Sequence, residues 1–184
     1  AFYALSERFA CSEATLDAGL PRMARKAHAL GITSIHDIAG AEQLRAYLRA
    51  CRKGRLGLRV YALPRSELLD SLTTAGLATG LGDDWFRLGA IKVFTDGSLG
   101  AYTAALIEPY EGRPEDHGTL VRTSDALRSI LRKAHRAGFQ TATHALGDAA
   151  IEQVVDAWET ILDESPRRDH RHRIEHFELP ERDL

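Results

Sequence analysis

Hydrophobic positions along this chain follow two alternating periods. Between residues 14 and 30, Leu16, Leu20, Met23, Ala24, Ala27 and Leu30 recur at three- and four-residue spacing, which gathers them on one helical face, and Gly31 supplies the stop. The apolar, β-branched run 32–38 then predicts a strand. Helix 41–52 carries Leu44, Tyr47 and Leu48 on one side and is followed by strand 56–63, helix 66–79 and strand 86–95. Further on come helix 124–137 with Ser124 as N-cap and Gly138 as stop, strand 139–144, helix 148–162 capped by Asp148, and strand 173–176. Five strands alternating with five helices are the mark of βα units, so the chain reads as α/β with a parallel sheet. Residues 1–12 have weak periodicity and are expected to form an insertion ahead of the first strand. The longest irregular stretch, 96–123, is rich in Gly, Pro and acidic residues, and a loop of that length leaving a strand end suits a lid.

Composition narrows the classes. With 184 residues, 44% hydrophobic and 27% charged, the chain is long enough for a real core and is neither disordered nor fibrous. A formal net charge of −2, with both signs mixed along the sequence, offers no strong field for nucleic acid or for a membrane surface. No apolar run approaches the roughly 20 residues that span a bilayer, and the N-terminus lacks a basic-then-apolar signal pattern. Cys11 and Cys51 are far apart without Cys-x-x-Cys spacing, so they read as buried or half-buried thiols in a reducing cytoplasm. The basic run from Pro166 to Arg171, and the His170-Arg171-His172 triplet with it, read as a solvated turn, while His28, His117 and His135 read as helix-surface or loop residues. No Gly-x-Ser-x-Gly elbow and no phosphate-cradling glycine loop is present.

Three residues carry the chemistry. His144 and His176 end two strands, and Lys92 lies on the strand before them. Alternation puts Lys92 on a face with Ala90 and Phe94 while Ile91 and Val93 point the other way, and likewise puts His144 with Gln140 and Ala142. Imidazole is a good ligand for zinc and similar ions, whereas an ammonium serves a metal only after conversion to a carbamate. One histidine at a strand end is more often a neutral, hydrogen-bonded side chain. Two at neighbouring strand ends, with a lysine before them, bring the metal reading level with that one.

The segments GITSIHDIAG, IKVFTDGSLGAYTAALIEPYEGRPEDHGTL, GFQTATHALGDAAIEQVVDAWE and RIEHFELP, in that order, resemble the YtcJ-like branch of the amidohydrolase superfamily. The resemblance implies a distorted (β/α)8 TIM barrel. Residues 1–184 would be a single partial barrel domain, covering about strands two to six, with the family's β-sandwich and remaining barrel strands absent. It implies one or two divalent ions, zinc foremost, held by His144 and His176, with Lys92 at a position carboxylated in many relatives. Asp96, Tyr102 and His36 would line the substrate pocket, although Asp96 also suits an Asp-Gly-Ser turn and Asp148 a capping role. The family's strand-one His-x-His and strand-eight aspartate have no counterpart here, and Tyr102 stands where relatives usually carry arginine. The implied activity is hydrolysis of a carbon–nitrogen bond outside peptides, in a small amide, formamide or cyclic amide, through a metal-activated water. A related barrel cleaving phosphoesters and a non-catalytic arc that only oligomerises are the alternatives. A five-strand arc has two unpaired edges, so the chain by itself is expected to self-associate and to be inactive.

Overall fold

The computed structural model of the chain describes residues 11 to 180, so the expected insertion at 1–12 falls almost wholly outside the described residues. The chain divides into two compact units, one of residues 1–64 and 80–88, the other of 65–79 and 89–184.

The first unit holds helix α1 (Glu13–Ala29), strand β1 (Ser34–Ala39), helix α2 (Ala41–Arg52), strand β2 (Arg59–Pro64) and strand β3 (Phe86–Leu88). The three strands form one parallel sheet in the order β1-β2-β3. Ser12 caps α1 through the Thr15 amide at 3.2 Å, and α2 buries Leu44, Ala46 and Tyr47 where it packs against the strands. Tyr47 donates its hydroxyl to Asp37 Oδ2 at 2.8 Å. β2 starts later than the apolar pattern predicts because Gly57, at φ 74, takes a left-handed turn between the buried Leu56 and Leu58. Asp83 nucleates the turn into β3 by accepting from the amides of Trp85 (2.8 Å) and Phe86 (2.9 Å).

The second unit contains a 3-10 turn (Ser66–Leu68) leading into helix α3 (Leu69–Thr74), then strand β4 (Ile91–Phe94), helix α4 (Ser124–Arg136), strand β5 (Thr141–Ala145), helix α5 (Asp148–Glu164) and strand β6 (Arg173–His176). Its sheet, β4-β5-β6, is also parallel. α4 buries Leu127, Leu131, Ala134 and His135, and α5 buries Ala150, Ile151, Val154, Ala157, Trp158 and Ile161, each set at helical spacing. The two helices pack on each other and on β5.

Several elements differ from the sequence expectation. Among the described residues six strands stand in two three-stranded sheets where five strands were expected, because the run 86–95 is broken at Gly89 and Ala90. β3 pairs with β2, β4 pairs with β5, and the Gly89 carbonyl between them accepts from Thr79 Oγ1 at 2.9 Å. Helix 66–79 shortens to a 3-10 turn and α3, since Gly76 at φ 71 ends it just after the β-branched Thr73 and Thr74. The cap of α4 is Thr123 rather than Ser124, accepting from the Ala126 amide at 3.3 Å. Asp148 is the first residue of α5 behind an N-cap at Gly147, and it still serves the first turn by accepting from the Ala149 amide at 2.8 Å. Cys51 is half-buried as expected, whereas Cys11 is exposed, and both are free thiols.

The stretch 96–123 is a strap tied down along its length. Its ends meet where the Val121 amide donates to the Thr95 carbonyl at 2.8 Å, and its middle is closed by Leu106 N to His117 O at 2.9 Å. Ala104 and Ala105 thread through it fully buried, against glycines with no room for a side chain: a Cβ on Gly118 would lie 1.9 Å from the Ala104 carbonyl oxygen, and one on Gly147 would lie 1.9 Å from that of Ala105.

Candidate functional site

The register of the second sheet decides which side chains share a face. Lys92 lies opposite Ala142, which lies opposite Arg173; Phe94 lies opposite His144, which lies opposite Glu175. Lys92, Phe94, His144, Arg173 and Glu175 therefore occupy one face, with Val93 and Thr143 on the other. By register His176 pairs with Ala145, on the face away from His144. The chain leaves the extended conformation there, at φ 78 for His176 and 54 for Phe177, and the His176 ring stands edge-on to His144 with centroids 4.6 Å apart.

Lys92 is 3% exposed, its Nζ 5.0 Å above the Phe94 ring. Burial lowers its pKa to about 8; Glu175 works against that and Arg173 with it. Glu175 is half-buried and ion-paired to Arg173. Burial tends to raise its pKa, yet the Arg173 hydrogen bond and charge, with Lys92 and His176, bring it below the ordinary glutamate range. The motif reading singled out His176 and overlooked Glu175, which the sheet register puts beside His144 on the face it shares with Lys92; alternation along the strand signals only that Glu175 and His176 point to opposite faces.

His144 Nε2 is 2.7 Å from the Gly97 carbonyl and 3.4 Å from Asp96 Oδ1. A carbonyl only accepts, so Nε2 carries the proton and Nδ1 keeps its lone pair. Burial lowers the His144 pKa, opposed by the Gly97 carbonyl and assisted by Lys92. Asp96, its side chain fully buried, accepts from the amides of Ala105 (3.1 Å), Leu146 (3.2 Å) and Gly147 (2.9 Å). It thus joins the loop after β4 to the loop after β5, instead of closing a local Asp-Gly-Ser turn.

The donor set fits a divalent ion in part. A ligating histidine commonly donates its second ring N–H to a carbonyl or carboxylate, as His144 does, and rings this close can both reach one ion at about 2.0–2.1 Å. Among the described residues, however, no group of three or more His, Cys, Asp or Glu side chains is gathered as a metal site, and catalytic zinc takes three protein ligands.

The remaining expected residues lie as follows. Tyr102 follows the 3-10 turn Leu99–Ala101 in the left-handed region at φ 54; its exposed ring carries the Arg113 guanidinium at 3.6 Å and meets Tyr110 edge-on at 5.2 Å. His36 belongs to the first unit, in the middle of β1 rather than at its end, with its ring 4.7 Å from Tyr61 in a cleft also lined by Arg59 and Arg87.

Two histidines read as surface or turn residues are structural. His135 is 3% exposed, one turn beyond Leu131 on the buried face of α4, a placement its spacing signalled. Its Nε2 lies 2.7 Å from the Ser165 carbonyl and its Nδ1 lies 2.9 Å from His172 Nε2. His172 Nδ1 accepts from the Thr141 amide at 3.1 Å, and its ring stacks on Trp158 at 3.6 Å. One proton assignment satisfies every bond, with both rings neutral.

Comparison with known proteins places the family of the chain. The model of the Amidohydrolase family matches residues 1–183. YtcJ of Bacillus subtilis (strain 168), which carries an amidohydrolase name, is 32% identical over 142 residues, 77% of this chain and 26% of its own length. Protein LONG AFTER FAR-RED 3 of Arabidopsis thaliana is 38% identical over 111 residues, 60% of this chain and 18% of its own. A metal-dependent hydrolase from Pyrococcus furiosus superimposes at a TM-score of 0.84 with 31% identity, over 95% of this chain and 36% of that one. One from Pyrococcus horikoshii OT3 superimposes at 0.76 with 34% identity, over 82% of this chain and 31% of that one. The chain thus spans well under half the length of each of these proteins.

Proposed function

Since this chain belongs to the amidohydrolase family, we propose that it forms one wall of the active site of a longer metal-dependent hydrolase, acting on carbon–nitrogen bonds other than peptide bonds in small molecules. The observation that carries the reading is the edge-on approach of His144 and His176, with the buried Lys92 on the His144 face. In this reading both parallel sheets are parts of one partial (β/α)8 barrel domain, whose catalytic groups gather at the C-terminal ends of its strands.

A divalent ion bound here, zinc by its preference for imidazole, supplies an acidified water and polarises the substrate carbonyl. His144 holds it through Nδ1 and His176 through a ring nitrogen, with further ligands coming from the rest of the longer protein. Lys92 joins them as a carbamate, formed when its neutral amine attacks carbon dioxide, making an N–C bond and releasing a proton to water; burial favours the neutral amine this needs. Tyr102, exposed on the strap, is assigned to the substrate side, and the buried Asp96 stands behind His144. By itself the chain is inactive and self-associates through unpaired sheet edges, with no nucleic-acid or membrane partner. Among the described residues no helix is long and apolar enough to cross a membrane. The two free thiols favour a cytoplasmic location.

The test is a panel of amides, formamides and phosphotriesters offered to the full-length protein with and without chelator. Chelator-sensitive turnover of the nitrogen substrates supports the reading; turnover of the phosphotriesters alone contradicts it.

A further inference from the structure

We propose that Asp96 is the positioning residue of this centre: its carboxylate clamps the loop after β4 to the loop after β5 and holds His144 with one defined ring nitrogen free. This rests on the reading of His144 as a metal ligand.

The argument is one of saturation. An ionised carboxylate offers about four lone-pair sites. Three backbone amides, from Ala105 on the strap and from Leu146 and Gly147 after β5, converge on Asp96, and His144 Nε2 lies beside Oδ1 at 3.4 Å. Its side chain is fully buried, so no water replaces any of these partners. The same clamp fixes the next residue, since the Gly97 carbonyl at 2.7 Å is the nearest acceptor for His144 Nε2. Gly97 is itself held by its amide bond to Thr103 O at 3.0 Å, and a Cβ there would lie 2.1 Å from Thr103 Oγ1. His144 thus faces two acceptors whose positions both depend on Asp96. A carboxylate serving only the loops would not need to sit beside the imidazole.

Two measurements on the full-length protein test this. The first is ¹⁵N NMR of the histidine ring nitrogens in the metal-free parent: His144 is expected as the Nε2–H tautomer, and an Nδ1–H tautomer overturns the proposal. The second is zinc affinity by chelator competition in Asp96→Asn, which keeps the size of the side chain but turns one acceptor into a donor. A loss of about 10- to 100-fold is expected, the usual effect of removing a partner behind a ligand. Asp116→Asn, which removes a carboxylate serving only the Gly118 amide and Arg113 within the strap, is expected to bind zinc as the parent does. Parent-like affinity in folded Asp96→Asn overturns the proposal, as does an equal loss in Asp116→Asn. Should Asp96→Asn not fold, Asp96→Glu carries the same comparison. His144→Ala separates the two levels: if it binds zinc like the parent, the metal reading itself falls, whereas zinc lost there but kept in Asp96→Asn removes only the role of Asp96.

Discussion

The rings of His144 and His176 stand 4.6 Å apart at an interplanar angle of 76°, although the sheet register pairs His144 with Glu175 and His176 with Ala145. The left-handed backbone at His176 and Phe177 turns the second ring toward the first. A strand that stayed extended for one more residue would separate the two imidazoles across the sheet.

Glu175, on the shared face, adjusts Lys92. Its negative charge supports the protonated amine, while burial and Arg173 oppose it and leave the pKa at about 8. Glu175→Gln is expected to lower the Lys92 pKa further, read by NMR titration of the side chain. An unchanged or raised value contradicts the assignment.

Protonation is costly at His172. Burial first, then the electrostatic effect of His170, Arg167 and His135, pushes its pKa down to about 3, far below the ordinary histidine value. The unfolded chain therefore takes up a proton near pH 6.5 that the folded chain refuses until about pH 3. The contribution is intact above the unfolded value and fades as pH falls between the two. At pH 5 the loss is on the order of 1–2 kcal/mol, with some discount because the ring is only half-buried. His172→Phe keeps the stack on Trp158 and is expected to flatten the acid limb of a urea-midpoint profile; a profile as steep as the parent's removes His172 as its source.

Gly147 is a packing requirement rather than a turn requirement, since its φ of −76 suits any residue. Gly147→Ala drives a methyl into the Ala105 carbonyl 1.9 Å away, and about 1–3 kcal/mol of destabilisation is expected. A melting temperature within error of the parent's would mean that the strap gives way without cost.

Elements governed by local pattern were legible in the sequence. α2 and β6 have the predicted bounds; for α2 the reason is local, a helical stripe of Leu44, Tyr47 and Leu48 followed by a glycine. The break at Gly89 was not legible, because which strand β3 or β4 pairs with is settled by other segments. The buried pair His135 and His172 was half visible: spacing put His135 on the inner face of α4, but nothing local brings the loop before β6 over it. The candidate site was read residue by residue from motif likeness, yet the place of Glu175 and the clamp by Asp96 depend on register and on the path of the strap. The His176 ring stands beside His144 for a reason no sequence pattern announces, a left-handed turn at a non-glycine residue.

Zinc stoichiometry tests the central claim most directly. The full-length protein is stripped with chelator, dialysed against zinc and analysed for bound metal, beside His144→Ala and His176→Ala. At least one ion per chain in the parent, lost in each variant, is the predicted result. Equal zinc in all three proteins, with their folds intact, would contradict the assignment of these histidines as ligands.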